Sequence, residues 1–159
     1  MLLLPGFNSF AAQAFIDPFR AANYLRGDKI YSWTFLSTRG GPVVASSGIE
    51  IGNTLALAQA AAEFEMIVVN ASWTPEAFQD RQLQSWLKFA SRQGMMLGGL
   101  DTGAFVLAYA GLLERHNAVV HYEHSAAFAE LFPALRTEET LYSIAATPPQ
   151  QEKRRRSIE

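Results

Sequence analysis

Apolar positions along the chain fall into two alternating kinds of run. Short blocks of consecutive or alternating apolar residues at 2–4, 31–37, 66–69, 95–97 and 118–120 predict strands. Between them lie longer stretches with apolar residues three and four apart, the spacing of one helix face. Residues 9–26 carry Phe15, Phe19, Ala22 and Leu25 at that spacing, Leu83, Trp86, Leu87 and Ala90 mark a second helix, and residues 103–113 give a third. Proline lacks an amide proton, so Asp17-Pro18 predicts a bend or a restart in the first helix. Thr74-Pro75-Glu76 predicts the cap that opens the second, and Gly94 its end. A small hairpin is predicted around Ser46-Ser47-Gly48, and an alanine-rich helix at residues 54–62. The β-branched run at 66–69 has the character of a strand buried on both faces. This alternation of strand and helix predicts an α/β fold with a doubly wound, mostly parallel sheet.

Composition narrows the functional classes. The chain has 159 residues, 49% of them apolar, enough for one sizeable core. Its net charge of −2 offers no basic field for a phosphate backbone. Without cysteine there is no disulfide, no thiolate metal site and no thiol nucleophile. Met1-Leu2-Leu3-Leu4-Pro5-Gly6 has no basic lead, and its apolar run is far short of the roughly 18 residues that span a bilayer, which predicts a cytoplasmic chain without membrane contact. Those leucines read as the end of a buried strand that has been clipped. Residues 145–159, with paired prolines and Glu152-Lys153-Arg154-Arg155-Arg156, read as a disordered, solvated tail, too short in basic residues to bind DNA.

Ligands of open parallel sheets gather at the carboxyl ends of the strands. The turn Gly98-Gly99-Leu100-Asp101-Thr102-Gly103 is placed there, its glycines permitting a sharp reversal that raises Asp101 above the sheet edge. From the residues alone Asp101 is either a helix cap or a functional carboxylate favoured by the helix dipole, an effect of roughly 0.3–1 kcal/mol at a surface. Phe7, Trp73 and Tyr122 each follow a strand end; they either face the same pocket, where an aromatic face attracts a cation, or pack in the core. His121 and His124 lack a third ligand nearby, so no metal or other cofactor is expected. Gly40-Gly41 and Gly98-Gly99 are not followed by the Lys-Ser/Thr of a phosphate loop.

The stretch from Gly98 through Leu113, followed by Val119-Val120-His121-Tyr122-Glu123-His124, resembles the nucleophile elbow and histidine strand of the DJ-1/PfpI group within the class I glutamine amidotransferase-like fold. Leu3-Leu4-Pro5-Gly6-Phe7, Asp17-Pro18-Phe19-Arg20-Ala21-Ala22-Asn23 and residues 128–133 are similar to the N-terminal sensing domains of GlxA-like AraC-type transcriptional regulators. The resemblance implies a flavodoxin-like sensing domain over residues 1–144 that lacks its last elements, with a non-family tail at 145–159. Carried over, the family's nucleophilic cysteine falls on Asp101 and the next residue on Thr102; the supporting acid falls near Ala11, and only His121 keeps its family identity.

The implied protein is non-catalytic and senses a small nitrogenous metabolite such as carnitine, a betaine or arginine. Its expected ligand contacts are Asp101, Thr102, Phe7, Trp73, His121 and Tyr122. The helix-turn-helix module of such regulators is not encoded, which implies a truncated or frame-shifted product that does not bind DNA by itself. Apolar sheet surface left by an absent closing helix favours a homodimer. Two alternatives stand beside this reading: a hydrolase using Asp101 as carboxylate nucleophile with His121 as base, and a pure dimerisation module.

Overall fold

A computed structural model describes residues 1–60, 64–114, 117–138 and 140. The expected domain end at 144 and the tail at 145–159 lie outside the described residues, as do positions 61 and 62 of the alanine-rich segment. In chain order the strands are β1 (Leu2–Leu3), β2 (Leu36–Ser37), β3 (Val43–Val44), β4 (Glu50–Ile51), β5 (Leu55–Ala56), β6 (Met66–Ala71), β7 (Met96–Asp101), β8 (Ala118–Val119) and β9 (Thr137–Glu138). The α-helices are α1 (Ser9–Arg26), α2 (Arg81–Arg92), α3 (Gly103–Tyr109) and α4 (Ser125–Leu131).

A parallel sheet of five strands runs in the order β5-β2-β1-β6-β7. The chain moves outward from β1 through β2 to β5 and then returns to β6 on the other side of β1. The topological switch therefore lies between β1 and β6, where parallel α/β sheets open a crevice. Alternate side chains sort to the two faces. Leu2, Ile67, Val69 and Ala71 pack with Leu83, Leu87 and Ala90 of α2 and with Val106 and Leu107 of α3. Leu3 and Val68 pack with Ala12 and Ile16 of α1 and with Val43 of the hairpin. A smaller cluster joins Phe105 and Ala108 to Val120 and Phe128. Full burial of a leucine or phenylalanine contributes about 1.5–3 kcal/mol, so the two sheet faces hold most of the stabilisation. Among the described residues no helix is long and apolar enough to cross a membrane.

Several local expectations are corrected, each for a physical reason. The helix at 9–26 does not restart at Pro18: α1 is one element, capped by Asn8, whose side chain accepts from the Ala11 amide, and closed by Gly27 at φ 73°. Pro18 and Ala14 are both exposed, so the Ala14 carbonyl that loses its partner faces water. Strand β2 is two residues long rather than seven, because both backbone groups of Tyr31 are taken by the Asn23 side chain of α1, the amide donating to Oδ1 and the carbonyl accepting from Nδ2. Residues 54–60 are not an α-helix; β5 pairs with β2 and a 3-10 turn follows at Leu57–Gln59, so sheet pairing overrides alanine propensity.

Thr74 caps nothing. It sits at φ 59° before a 3-10 turn at Pro75–Phe78, and α2 is opened instead by Asp80, whose carboxylate accepts from the Leu83 amide. α3 stops at Tyr109 rather than Leu113, ended by Gly111 at φ 66°. Among the described residues β8 pairs in parallel with β9 and not with the main sheet. The hairpin is present as antiparallel β3 and β4.

Candidate functional site

β7 continues through Gly98 and Gly99 as far as Asp101, so the reversal happens at Asp101 and Thr102 rather than across the whole glycine-rich stretch. Asp101 itself carries the turn, with φ 55°, a left-handed conformation that aspartate tolerates better than most residues. The glycines serve packing instead of torsion. A side chain on Gly103 would meet the Val69 carbonyl oxygen at 2.2 Å, and one on Gly99 would meet the Ala104 amide nitrogen at 2.8 Å. This contact lets α3 lie directly on β6 and β7, which lifts the Asp101 side chain to the carboxyl ends of the strands.

Three loops converge there, one from each of β1, β6 and β7. Asn8 Nδ2 donates to Asp101 Oδ2 at 2.9 Å, and Ser72 Oγ donates to the same oxygen at 3.2 Å. Asn70, fully buried at the end of β6, grips the backbone of Asn8 twice: the Asn8 amide donates to its Oδ1 at 3.2 Å, and its Nδ2 donates to the Asn8 carbonyl at 2.9 Å. Thr102 Oγ1 donates to the Ser72 carbonyl at 2.6 Å. The result is a polar network of Asn8, Asn70, Ser72, Asp101 and Thr102 beside the switch point.

Asp101 is thus neither a helix cap nor held by the amides of α3; side chains from two other loops hold it. Thr102 is fully buried with its hydroxyl committed to Ser72, so it serves the scaffold rather than a ligand. Phe7 is also a core side chain, 1% exposed, packed with Leu3, Ile16 and Val43. It borders an apolar groove of about 390 Å³ between α1 and the hairpin, a groove that Asp101 does not line. The aromatic residues expected around the carboxylate are therefore not gathered as one cage.

Trp73 and Tyr122 are 67% and 78% exposed. His121 is exposed, with Glu123 Oε2 at 3.7 Å from its Nδ1 and the Tyr122 ring at 4.5 Å. Among the described residues no hydrogen bond, ion pair or ring contact joins Trp73, His121 or Tyr122 to Asp101, so the Asp101–His121 couple of the hydrolase alternative is not formed. Nor is any group of three or more His, Asp or Glu placed there to hold a metal ion.

Asn8, Asn70 and Ser72 escaped the sequence reading. One signal was available for Asn70: an amide side chain closing an otherwise apolar buried strand must find partners, since an unpaired buried polar group costs several kcal/mol.

No family model matches the chain. Among curated proteins, the HTH-type transcriptional regulators CdhR of Pseudomonas aeruginosa and GlxA of Rhizobium meliloti are 38% and 36% identical to it over 90% and 84% of its length. The chain spans only 42% and 41% of those two proteins. The crystal structure of an AraC family transcriptional regulator from Pseudomonas putida is 30% identical and superposes with a TM-score of 0.77, over 90% of this chain and 76% of that one.

The chain belongs to the AraC family of transcriptional regulators.

Within that family it is GlxA-like and corresponds to the portion with a DJ-1/PfpI-type fold. The same fold appears in a ThiJ/PfpI domain protein from Brachyspira murdochii, at a TM-score of 0.68 and 15% identity, over 87% of this chain and 76% of that one.

Proposed function

We propose that this AraC-family chain is a non-catalytic sensing domain whose Asp101 contacts a small nitrogenous cation of the carnitine, betaine or arginine kind. The observation that carries the reading is the state of Asp101: raised on a left-handed turn, held through Oδ2 by Asn8 and Ser72, with Oδ1 left without a partner among the described residues. A fixed carboxylate with one open oxygen is a cation contact. Its two partners are an amide and a hydroxyl rather than a histidine, which favours binding over nucleophilic chemistry. The absence of cysteine removes the thiol on which an elbow of this kind commonly depends.

In this reading residues 1–144 form the sensing domain of a cytoplasmic, homodimeric regulator, and DNA is contacted by a portion of the relatives that this chain does not span. Exposed Trp73 and Tyr122 are retained as candidate aromatic contacts and His121 as a polar one, while Phe7 and Thr102 become scaffold.

Isothermal titration with carnitine, glycine betaine and arginine tests the proposal. At least one ligand should bind the wild-type chain, and Asp101→Asn should weaken it tenfold or more, since losing a charge-assisted contact costs about 1.5–3 kcal/mol. A folded wild-type chain that binds none of the three overturns the reading.

A further inference from the structure

The loop that follows β6 carries a conflict between its sequence and its backbone. Ser72 is buried, with its hydroxyl on Asp101 and its carbonyl accepting from Thr102 Oγ1. Pro75 is buried as well and begins the 3-10 turn at Pro75–Phe78. Between these two fixed points lie only Trp73 and Thr74, both exposed. Thr74 takes φ 59° and ψ 53°, the left-handed region. Two properties of the residue oppose that conformation. Its branched Cβ crowds the backbone there, and a residue that precedes proline is driven towards extended backbone.

Two hydrogen bonds hold the strained form. Thr74 Oγ1 donates to the Trp73 carbonyl at 2.7 Å, and the Thr74 carbonyl accepts from the Ala77 amide at 3.0 Å. In this form the Trp73 indole stands in water, next in the chain to the residue whose hydroxyl touches Asp101. Covering so large an apolar surface would be favourable, given something to cover it with. Because both ends of the bridge are fixed, Thr74 can reach extended backbone only if the Trp73–Thr74 peptide turns with it. That turn re-aims the indole.

We infer that Trp73 and Thr74 form a spring-loaded lid over the Asp101 site. The two hydrogen bonds of Thr74 hold the ligand-free chain open. A ligand seated on Asp101 supplies the surface that the indole lacks, whereupon Thr74 relaxes to extended backbone and Trp73 closes. Closure exchanges two local hydrogen bonds for relieved strain and a covered indole, and the ligand moves the balance because it meets the indole only in the closed state. This inference rests on the proposed sensing role and adds its gating. Trp73 is the closing contact, and Thr74 is a positioning residue that acts through it.

The test labels the full chain with fluorotryptophan, which gives fluorine resonances from Trp33, Trp73 and Trp86. Trp73→Phe assigns the lid signal, and carnitine, glycine betaine and arginine are titrated in. A ligand that binds should shift the Trp73 resonance and remove most of its broadening by a soluble paramagnetic agent, with Trp33 unaffected. Thr74→Gly suits the left-handed region and leaves closure no strain to relieve, so it should weaken that ligand about fivefold or more. Without ligand the same variant should raise the urea midpoint by about 0.2 M or more. A ligand that binds while the Trp73 signal keeps its position and its broadening overturns the lid and leaves the sensing role intact. Undiminished affinity in Thr74→Gly does the same. A urea midpoint that does not rise in Thr74→Gly shows an unstrained Thr74 and overturns the lid with no ligand needed. Binding of none of the three compounds by folded protein overturns the sensing role, and the lid with it.

Discussion

Replacing Gly103 by alanine tests whether the close seat of α3 on the sheet sets the elbow. The added methyl would lie 2.2 Å from the Val69 carbonyl oxygen and 3.2 Å from its carbon, where side-chain carbons essentially never come closer than 3.0 Å. The helix must therefore retreat by at least about 0.8 Å, the difference between those distances. The strand cannot yield instead: Val69 is fully buried and paired on both sides, to Leu2 in β1 and to Gly99 in β7. Overpacking of this kind costs about 1–3 kcal/mol, and a backbone obstacle puts the change at the upper end. Reduced freedom of the unfolded chain returns about 0.4–1 kcal/mol. The net loss is about 2 kcal/mol, which at a typical slope of about 2 kcal/mol/M lowers the urea midpoint by about 1 M. Urea unfolding followed by circular dichroism reads this directly. Gly98→Ala serves as the control, because a methyl there meets only the Val68 side chain at 3.8 Å, an ordinary contact. An unchanged midpoint for Gly103→Ala, or an equal drop in both variants, would refute the argument that backbone proximity at Gly103 fixes the elbow.

Asn70→Ala removes both bonds to the Asn8 backbone and should cost about 2–3 kcal/mol by urea unfolding, with weaker betaine binding as Asn8 loosens; unaltered stability would show that the clamp contributes nothing. The α-amino group of Met1, which donates to the Thr34 carbonyl at 2.6 Å, is pushed by burial from 8.0 down to about 6. Between those values the unfolded chain binds more protons than the folded one, so stability should rise with pH across the window, by about 2.7 kcal/mol at most. The cost is fully present below pH 6 and absent above 8. Urea midpoints that stay flat from pH 5.5 to 8.5, or that respond identically when the amine is acetylated, would contradict this.

What was legible in the sequence was whatever depends on neighbours in the chain. The β-branched run of β6, the helical spacing of α1 and α2, the hairpin and the glycine-rich elbow each announce themselves within a few residues. The features that were misread depend on distant partners. The aromatic alternation at 31–37 is a sound strand pattern, yet among the described residues only Leu36 and Ser37 of it pair with a strand, and Tyr31 is held by Asn23 of α1. Alanine at 56 favours a helix until β2 offers an edge. Thr74-Pro75 has the letters of a cap, but Asp80 is placed to reach the Leu83 amide. The site follows the same logic. Asp101 was visible because its glycine neighbours are local, whereas the residues that orient it lie 93 positions away at Asn8 and 29 away at Ser72.

That separation has a kinetic meaning. The hydrogen bond between Asn8 and Asp101 closes a loop of nearly a hundred residues, and non-local pairings of this length are late and slow events in folding. A half-folded chain with β6 and β7 zipped but β1 undocked would lack the Asn8 half of the site. A ligand gripped there engages only the finished sheet, so it draws the folding equilibrium towards completion, by about 2.7 kcal/mol at a hundredfold excess over Kd. Occupancy would then register as resistance to proteolysis across the entire domain, including segments that never touch the metabolite.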